Sequence, residues 1–112
     1  MNISKIKKKF EKIEKEYLIW KYAIDCYERY SNIPYPEDIV DATFIAYLLN
    51  DSATDAAKSL NDNGLRTPTG TKFNSNFITN TIDKMESSDN ELNIAVKGML
   101  SAARSNARAI WG

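Results

Sequence analysis

Eight large apolar residues, Ile3, Ile6, Phe10, Ile13, Tyr17, Trp20, Ile24 and Tyr27, recur at strictly alternating gaps of three and four. A strand places every second side chain on one face, so this seam admits only a helix, and its 3.5-residue average period is that of a coiled coil. The spacing predicts one helix over residues 2–30. As far as Ile13 the apolar stripe is narrow and flanked by Lys and Glu, the pattern of a solvent-facing arm. From Tyr17 it widens to take in Leu18, Ile19, Tyr22, Ala23, Cys26 and Tyr30, which predicts that the second half packs on a globular body. Two arrangements satisfy the seam. In one, Ile3, Ile6, Phe10, Ile13, Tyr17 and Trp20 form the interface of a homodimer, with the C-terminal helix as a second contributor. In the other, the amphipathic helix folds back onto its own monomer. Aromatics at seam positions leave both parallel and antiparallel pairing open, since tight parallel dimers favour Ile, Val and Leu there.

Asn32-Ile33-Pro34-Tyr35-Pro36 ends this helix, because two prolines so close cannot sit in a helix interior. Pro36, followed by Glu37 and Asp38, suits the first position of the next helix, expected over about 36–50, with Ile39, Val40, Phe44, Tyr47, Leu48 and Leu49 turned to the core. Ser52 then reads as an N-cap with Asp55 as its capping-box-like partner, and Ala56, Ala57 and Leu60 share one helical face. Asn63-Gly64 is a stop signal. After the polar turn Thr67-Pro68-Thr69-Gly70, a second short amphipathic stretch carries Phe73, Phe77, Ile78, Ile82 and Met85. Residues 52–85 thus read as a helix–turn–helix with an extended turn, a shape that enters a DNA major groove. Ser88-Asp89-Asn90-Glu91 reads as a capping box opening a last helix over 88–111. Its seam runs Leu92, Val96, Met99, Ala103, Asn106 and Ile110, its small-residue face Ala95, Gly98, Ala102 and Ala107, and Trp111 is expected to plug the core. The whole, residues 1–112, is predicted to be one all-α domain.

The run Ala56-Ala57, Leu60-Asn61, Gly64-Leu65, Thr67-Pro68, Gly70, Phe73, Ile78 and Ile82 resembles the DNA-binding recombinase module found behind the catalytic domain of large serine recombinases and in other phage and mobile-element proteins. The likeness covers roughly residues 37–85, with helix 39–50 as the module's preceding helix. Phe73 stands where the family usually has Trp, and Thr81 where it has an aliphatic residue. The last helix, often Arg-rich in the family, offers Lys84 and also carries Asp83. The resemblance implies binding to double-stranded DNA as a regulator or accessory factor. Asn74, Ser75, Asn76, Thr79, Asn80 and Lys84 are then the groove-facing set, because Asn bridges adenine, Ser and Thr bond phosphates or bases, and Lys neutralises phosphate. Arg66, Thr69 and Lys72 flank the turn within reach of phosphates. Ser75 or Asn74 also suits the N-cap of the last module helix, a role compatible with holding a phosphate. One short helix with a single lysine holds DNA weakly, so a dimer and a palindromic site are expected.

Composition narrows the other classes. With 15 Lys+Arg against 15 Asp+Glu the formal charge is zero, which does not suit a purely electrostatic nucleic-acid binder. The dense cluster Lys5, Lys7, Lys8, Lys9, Lys12 and Lys15 is interleaved with Glu11, Glu14 and Glu16, as on a charged coiled-coil flank. Zero net charge, Asp83 and the tyrosine-rich N-terminal half keep open a second reading, an inhibitor or scaffold that binds a host or phage protein through the same fold without DNA. The 112 residues are too few for a recombinase catalytic domain plus a DNA-binding domain. There is no histidine, no Gly-rich phosphate loop and no nucleophile elbow, so neither an enzyme, a cofactor nor a metal is expected. The single cysteine, Cys26, and the lack of a membrane-length apolar run or secretory leader point to a cytoplasmic protein without membrane attachment.

Overall fold

The computed structural model describes residues 3–111, with side chains as far as Ser105. Five helices follow one another: α1 (Ile3–Tyr30), α2 (Ile39–Asn50), α3 (Ala53–Asp62), α4 (Ser75–Lys84) and α5 (Asn90–Trp111). The fold is all-α, and no strand occurs among the described residues. The expected positions of Asn106, Ala107, Ile110 and Trp111 lie outside the described side chains.

Helix α2 is the hub. Seven consecutive residues, Ala42 to Leu48, are buried, so the helix is enclosed on all sides rather than amphipathic. It packs against α1 and α5 on one hand and α3 and α4 on the other. It begins at Ile39, three residues later than the proline pattern suggests. Asp38 takes the N-cap by accepting the Asp41 N–H at 3.0 Å, which leaves Pro36 in the preceding loop. Asp51, at φ 50°, turns the chain through the left-handed region, and Ser52 caps α3 directly by accepting the Asp55 N–H at 3.2 Å. Two non-helical residues therefore make the whole corner.

The end of α3 is a Schellman motif. Leu65 N–H donates to Leu60 C=O and Gly64 N–H to Asn61 C=O, both at 3.0 Å, around Gly64 at φ 83°. The tip that follows closes as a three-residue hairpin loop, with Gly70 N–H bonded to Thr67 C=O at 2.8 Å and Thr67 N–H to Thr71 C=O at 2.9 Å.

The capping box expected from Ser88 forms differently. Asp89 caps α5 by accepting the Glu91 N–H (3.0 Å) and the Leu92 N–H (3.3 Å). Ser88 is drawn away because its N–H and hydroxyl both donate to the Asp41 carboxylate, at 2.9 and 2.8 Å, and the Ser87 hydroxyl adds a third bond at 2.7 Å. This cluster ties the start of α2 to the start of α5.

Helix α1 departs most from expectation. Its body-facing strip is Ile19, Tyr22, Ala23, Cys26 and Tyr30, and Tyr17, Leu18 and Trp20, expected to be covered, are exposed. The strip meets α5, where Gly98 allows close approach: a Cβ built there would lie 2.6 Å from Ile19. At the last turn Tyr30 donates to Asp89 at 2.6 Å and Arg29 lies 3.3 Å from Glu91. Residues 3–18 are exposed on every side, an arm that stretches the molecule to 57 × 32 × 20 Å.

Candidate nucleic-acid interface

Helix α4 owes its orientation to its buried side. Ile78, Thr81 and Ile82 face α2, α3 and α5, and Phe73 packs edge-on to Phe77 at 5.3 Å. Met85, expected on this apolar face, is exposed, because the helix ends at Lys84 and the chain turns away in extended conformation. Thr81 is buried with Ile78 and Ile82.

Two devices hold the ends of α4, and each reaches it from another helix. Asn61 at the end of α3 clamps the segment leading into it: its Nδ2 donates to Phe73 C=O at 3.0 Å while its Oδ1 accepts the Phe73 N–H at 2.8 Å. Asn93 repeats the device on Ser87, at 2.8 and 2.6 Å. At the C-terminus of α4, Lys97 donates to Ile82 C=O (2.6 Å) and Met85 C=O (2.9 Å), a cation at the negative end of the helix dipole.

The nine residues proposed from the sequence fall into three groups. Asn76, Asn80 and Lys84 are exposed on α4, and Lys72 is exposed just before it. Lys72, Asn74 and Ser75 border one groove with Thr54, Lys58 and Asp62 of α3. Asn74 rather than Ser75 is the N-cap, accepting the Phe77 N–H at 2.8 Å. The others are engaged within the chain. Thr79 turns its hydroxyl back to Ser75 C=O and Asn76 C=O, both at 3.2 Å. Thr69 joins Thr67 and Thr71 in a hydroxyl cluster at the loop tip. Arg66 is drawn to Leu65 C=O at 2.6 Å and Asn61 C=O at 3.3 Å.

Asp83 is the acidic residue on α4, and Arg104 of α5 closes on it with two parallel bonds of 3.0 and 2.9 Å. The guanidinium holds the Asp83 carboxyl below its usual range, and burial, which acts the other way, is the smaller effect. Arg104 therefore masks the one α4 charge that would repel phosphate. No spacing rule points to this pair, because its members belong to different helices.

Among the described residues no group of acidic or cysteine side chains is arranged to hold a metal, and no helix is long and apolar enough to cross a membrane. The Cys26 thiol is fully buried, and that burial raises its pKa against the opposing effect of Arg29, whose Nη2 lies 3.1 Å from the sulfur. No family model matches the chain, and no curated protein or solved structure matches it at a significant level.

Proposed function

We propose that this chain is a small duplex-DNA-binding protein of phage or mobile-element type, a regulator or accessory factor that reads DNA with α4 and works as a homodimer. The observation that carries the reading is the exposed polar row Asn76, Asn80 and Lys84 on a helix whose opposite face and both ends are anchored. With its side chains an α-helix is about 10–12 Å across, which fits a major groove about 12 Å wide, and ten residues give it about 15 Å of length to lay in that groove. The two asparagines present amides suited to adenine edges, while Lys72 and Lys84 meet phosphates at either end. Masking of Asp83 by Arg104 supports the same face. The likeness of residues 37–85 to the recombinase module implies the same groove-facing set.

Fluorescence polarisation with labelled duplex fragments, titrated from about 20 mM salt upward, tests the reading, because non-specific binding appears first at low salt. Binding that Asn76→Ala and Asn80→Ala weaken selectively on preferred sequences supports it; no binding at the lowest salt sinks it. Zero net charge and the exposed apolar seam of α1 favour a second reading, a protein-binding inhibitor or scaffold. That reading predicts a host or phage protein complex that α1 substitutions abolish and α4 substitutions leave intact.

A further inference from the structure

We infer that α1 receives a second copy of this chain lying parallel and in register along the seam from Ile3 to Tyr27, with the direction set by the charges that border the seam. This rests on the dimer in the reading above and supplies its orientation.

The seam is not the strip that packs on the body. Ile3, Ile6, Phe10, Ile13, Tyr17, Trp20, Ile24 and Tyr27 are between 47% and 66% exposed, and the exposure does not fall where α1 meets α5. The body is held instead by Ile19, Ala23, Cys26 and Tyr30, roughly a third of a turn round the helix. Half-exposed side chains of this size offer about 100 Å² each, so the seam offers about 800 Å², one partner's share of a standard interface. A contiguous apolar stripe of that area is rare on a monomer's surface.

Placing Ile3, Phe10, Tyr17 and Ile24 at heptad position a, and Ile6, Ile13, Trp20 and Tyr27 at d, puts Lys7, Glu14, Lys21 and Glu28 at e. Position g then holds Lys9, Glu16, Ala23 and Tyr30. In a parallel, in-register pair each g residue meets the e residue five places on in the other chain. Lys9 then faces the partner's Glu14 and Glu16 faces the partner's Lys21, each twice by symmetry, with no like-charge pair. Both lie N-terminal to Ala23 and Tyr30, the g positions that the body covers.

The fully overlapped antiparallel pair brings e against e and g against g. Lys7 then meets the partner's Lys21, Glu14 the partner's Glu14, and Glu16 the partner's Glu16, so every charged contact is repulsive. Sliding that pair by one heptad restores attraction and strands two of the eight seam residues of each chain in water. Among the described residues Lys9, Glu14, Glu16 and Lys21 have no ion-pair partner in their own chain, so all four are available to another. An anionic lipid surface would match Lys throughout rather than this alternation.

Parallel pairing also serves the proposed reading. Helix α4 does not touch α1, and both bodies stand at the same end of the paired arms, so two reading helices can address one duplex. Antiparallel pairing would hold them at opposite ends of a coil about 37 Å long.

The test is made without DNA, so its outcome is separate from that of the duplex titration. Light scattering of the full chain at about 50 µM should give twice the chain mass. Ile6→Cys should form an intermolecular disulfide under mild oxidation, with the unmodified chain, whose Cys26 is buried, as the blank. Glu14→Lys with Glu16→Lys should weaken self-association about tenfold and leave helix content unchanged. Mixing that variant with a chain carrying Lys9→Glu and Lys21→Glu should restore pairing. A monomeric mass overturns the inference, whether or not that monomer binds phosphatidylserine vesicles. Cross-linking of an Ile6→Cys chain only to an Ile24→Cys chain overturns it as well, since those positions meet in the antiparallel pair.

Discussion

Gly98→Ala isolates the contact that joins the arm to the body. The added methyl carbon would lie 2.6, 2.6 and 2.7 Å from Cδ1, Cγ2 and Cγ1 of Ile19. Ordinary carbon contacts are about 3.5–4.0 Å, so the overlap is about 1 Å on three atoms of one stiff, β-branched side chain. Two of those atoms sit on Cβ itself, so the conflict is relieved only by turning Ile19 off its rotamer or by moving α1 away from α5. Overpacking of this kind costs about 1–3 kcal/mol. Against it stands the helix propensity of Ala over Gly, about 1 kcal/mol in favour of the variant. The net expectation is a loss of about 1 kcal/mol, which lowers the melting temperature by about 4–8 °C for a domain near this size. In an Ile19→Ala background the overlap is gone, and the same change should stabilise by up to about 1 kcal/mol. Urea unfolding of the four proteins, at one fixed concentration because a dimer's stability depends on it, gives the coupling directly. If Gly98→Ala stabilises both backgrounds equally, α1 does not pack on α5 as described.

Further outcomes follow from the geometry. Asn61→Ala strips the Phe73 backbone of both its side-chain partners and should lower stability by about 1–3 kcal/mol in the same unfolding assay; an unchanged midpoint refutes the clamp. Burial pushes the Asp41 carboxyl up, but its bonds from Ser87 and Ser88 outweigh that and hold it below 3.8, and Asp89 is likewise depressed on balance, so their stabilisation is complete above about pH 4 and lost as pH falls through the lower folded values. Tyr30 is pushed up to about 12 by burial and its bond to Asp89, so its contribution is present below its unfolded 10.0 and lost as pH rises toward 12; urea midpoints across both ranges check the two limbs, and Asp41→Asn should flatten the acid one. Arg104→Ala unmasks Asp83 and should weaken duplex binding more than Arg104→Ala combined with Asp83→Asn; equal affinities at matched salt refute the masking. Cys26 should react with a disulfide reagent about a hundredfold more slowly in the folded chain than in urea, and rapid native labelling contradicts its burial.

The elements of this fold were written locally. Periodicity, prolines, the Ser52 cap and the Gly64 stop each act within a few residues, which is why all five helices and the extended turn between α3 and α4 were legible from the chain. Spacing in residues 52–85 likewise marked Ala56, Ala57, Leu60, Phe73, Ile78 and Ile82, all buried, but also Met85, which is exposed because α4 ends one residue before it. What spacing could not give was the choice among partners. Ser88 has the credentials of an N-cap, yet Asp41, 47 residues earlier, takes both its donors and leaves the cap to Asp89. The broad apolar stripe of α1 contained two faces, and only its packing on α5, with Gly98 opposite Ile19 and Tyr30 bonded to Asp89, decided which one the body would cover and which the seam would keep exposed. Asp83 puts an acidic charge on α4, and only α5 brought Arg104 beside it. A local pattern fixes backbone conformation because helix geometry repeats every few residues; pairing across tens of residues depends on where the assembled helices bring side chains together.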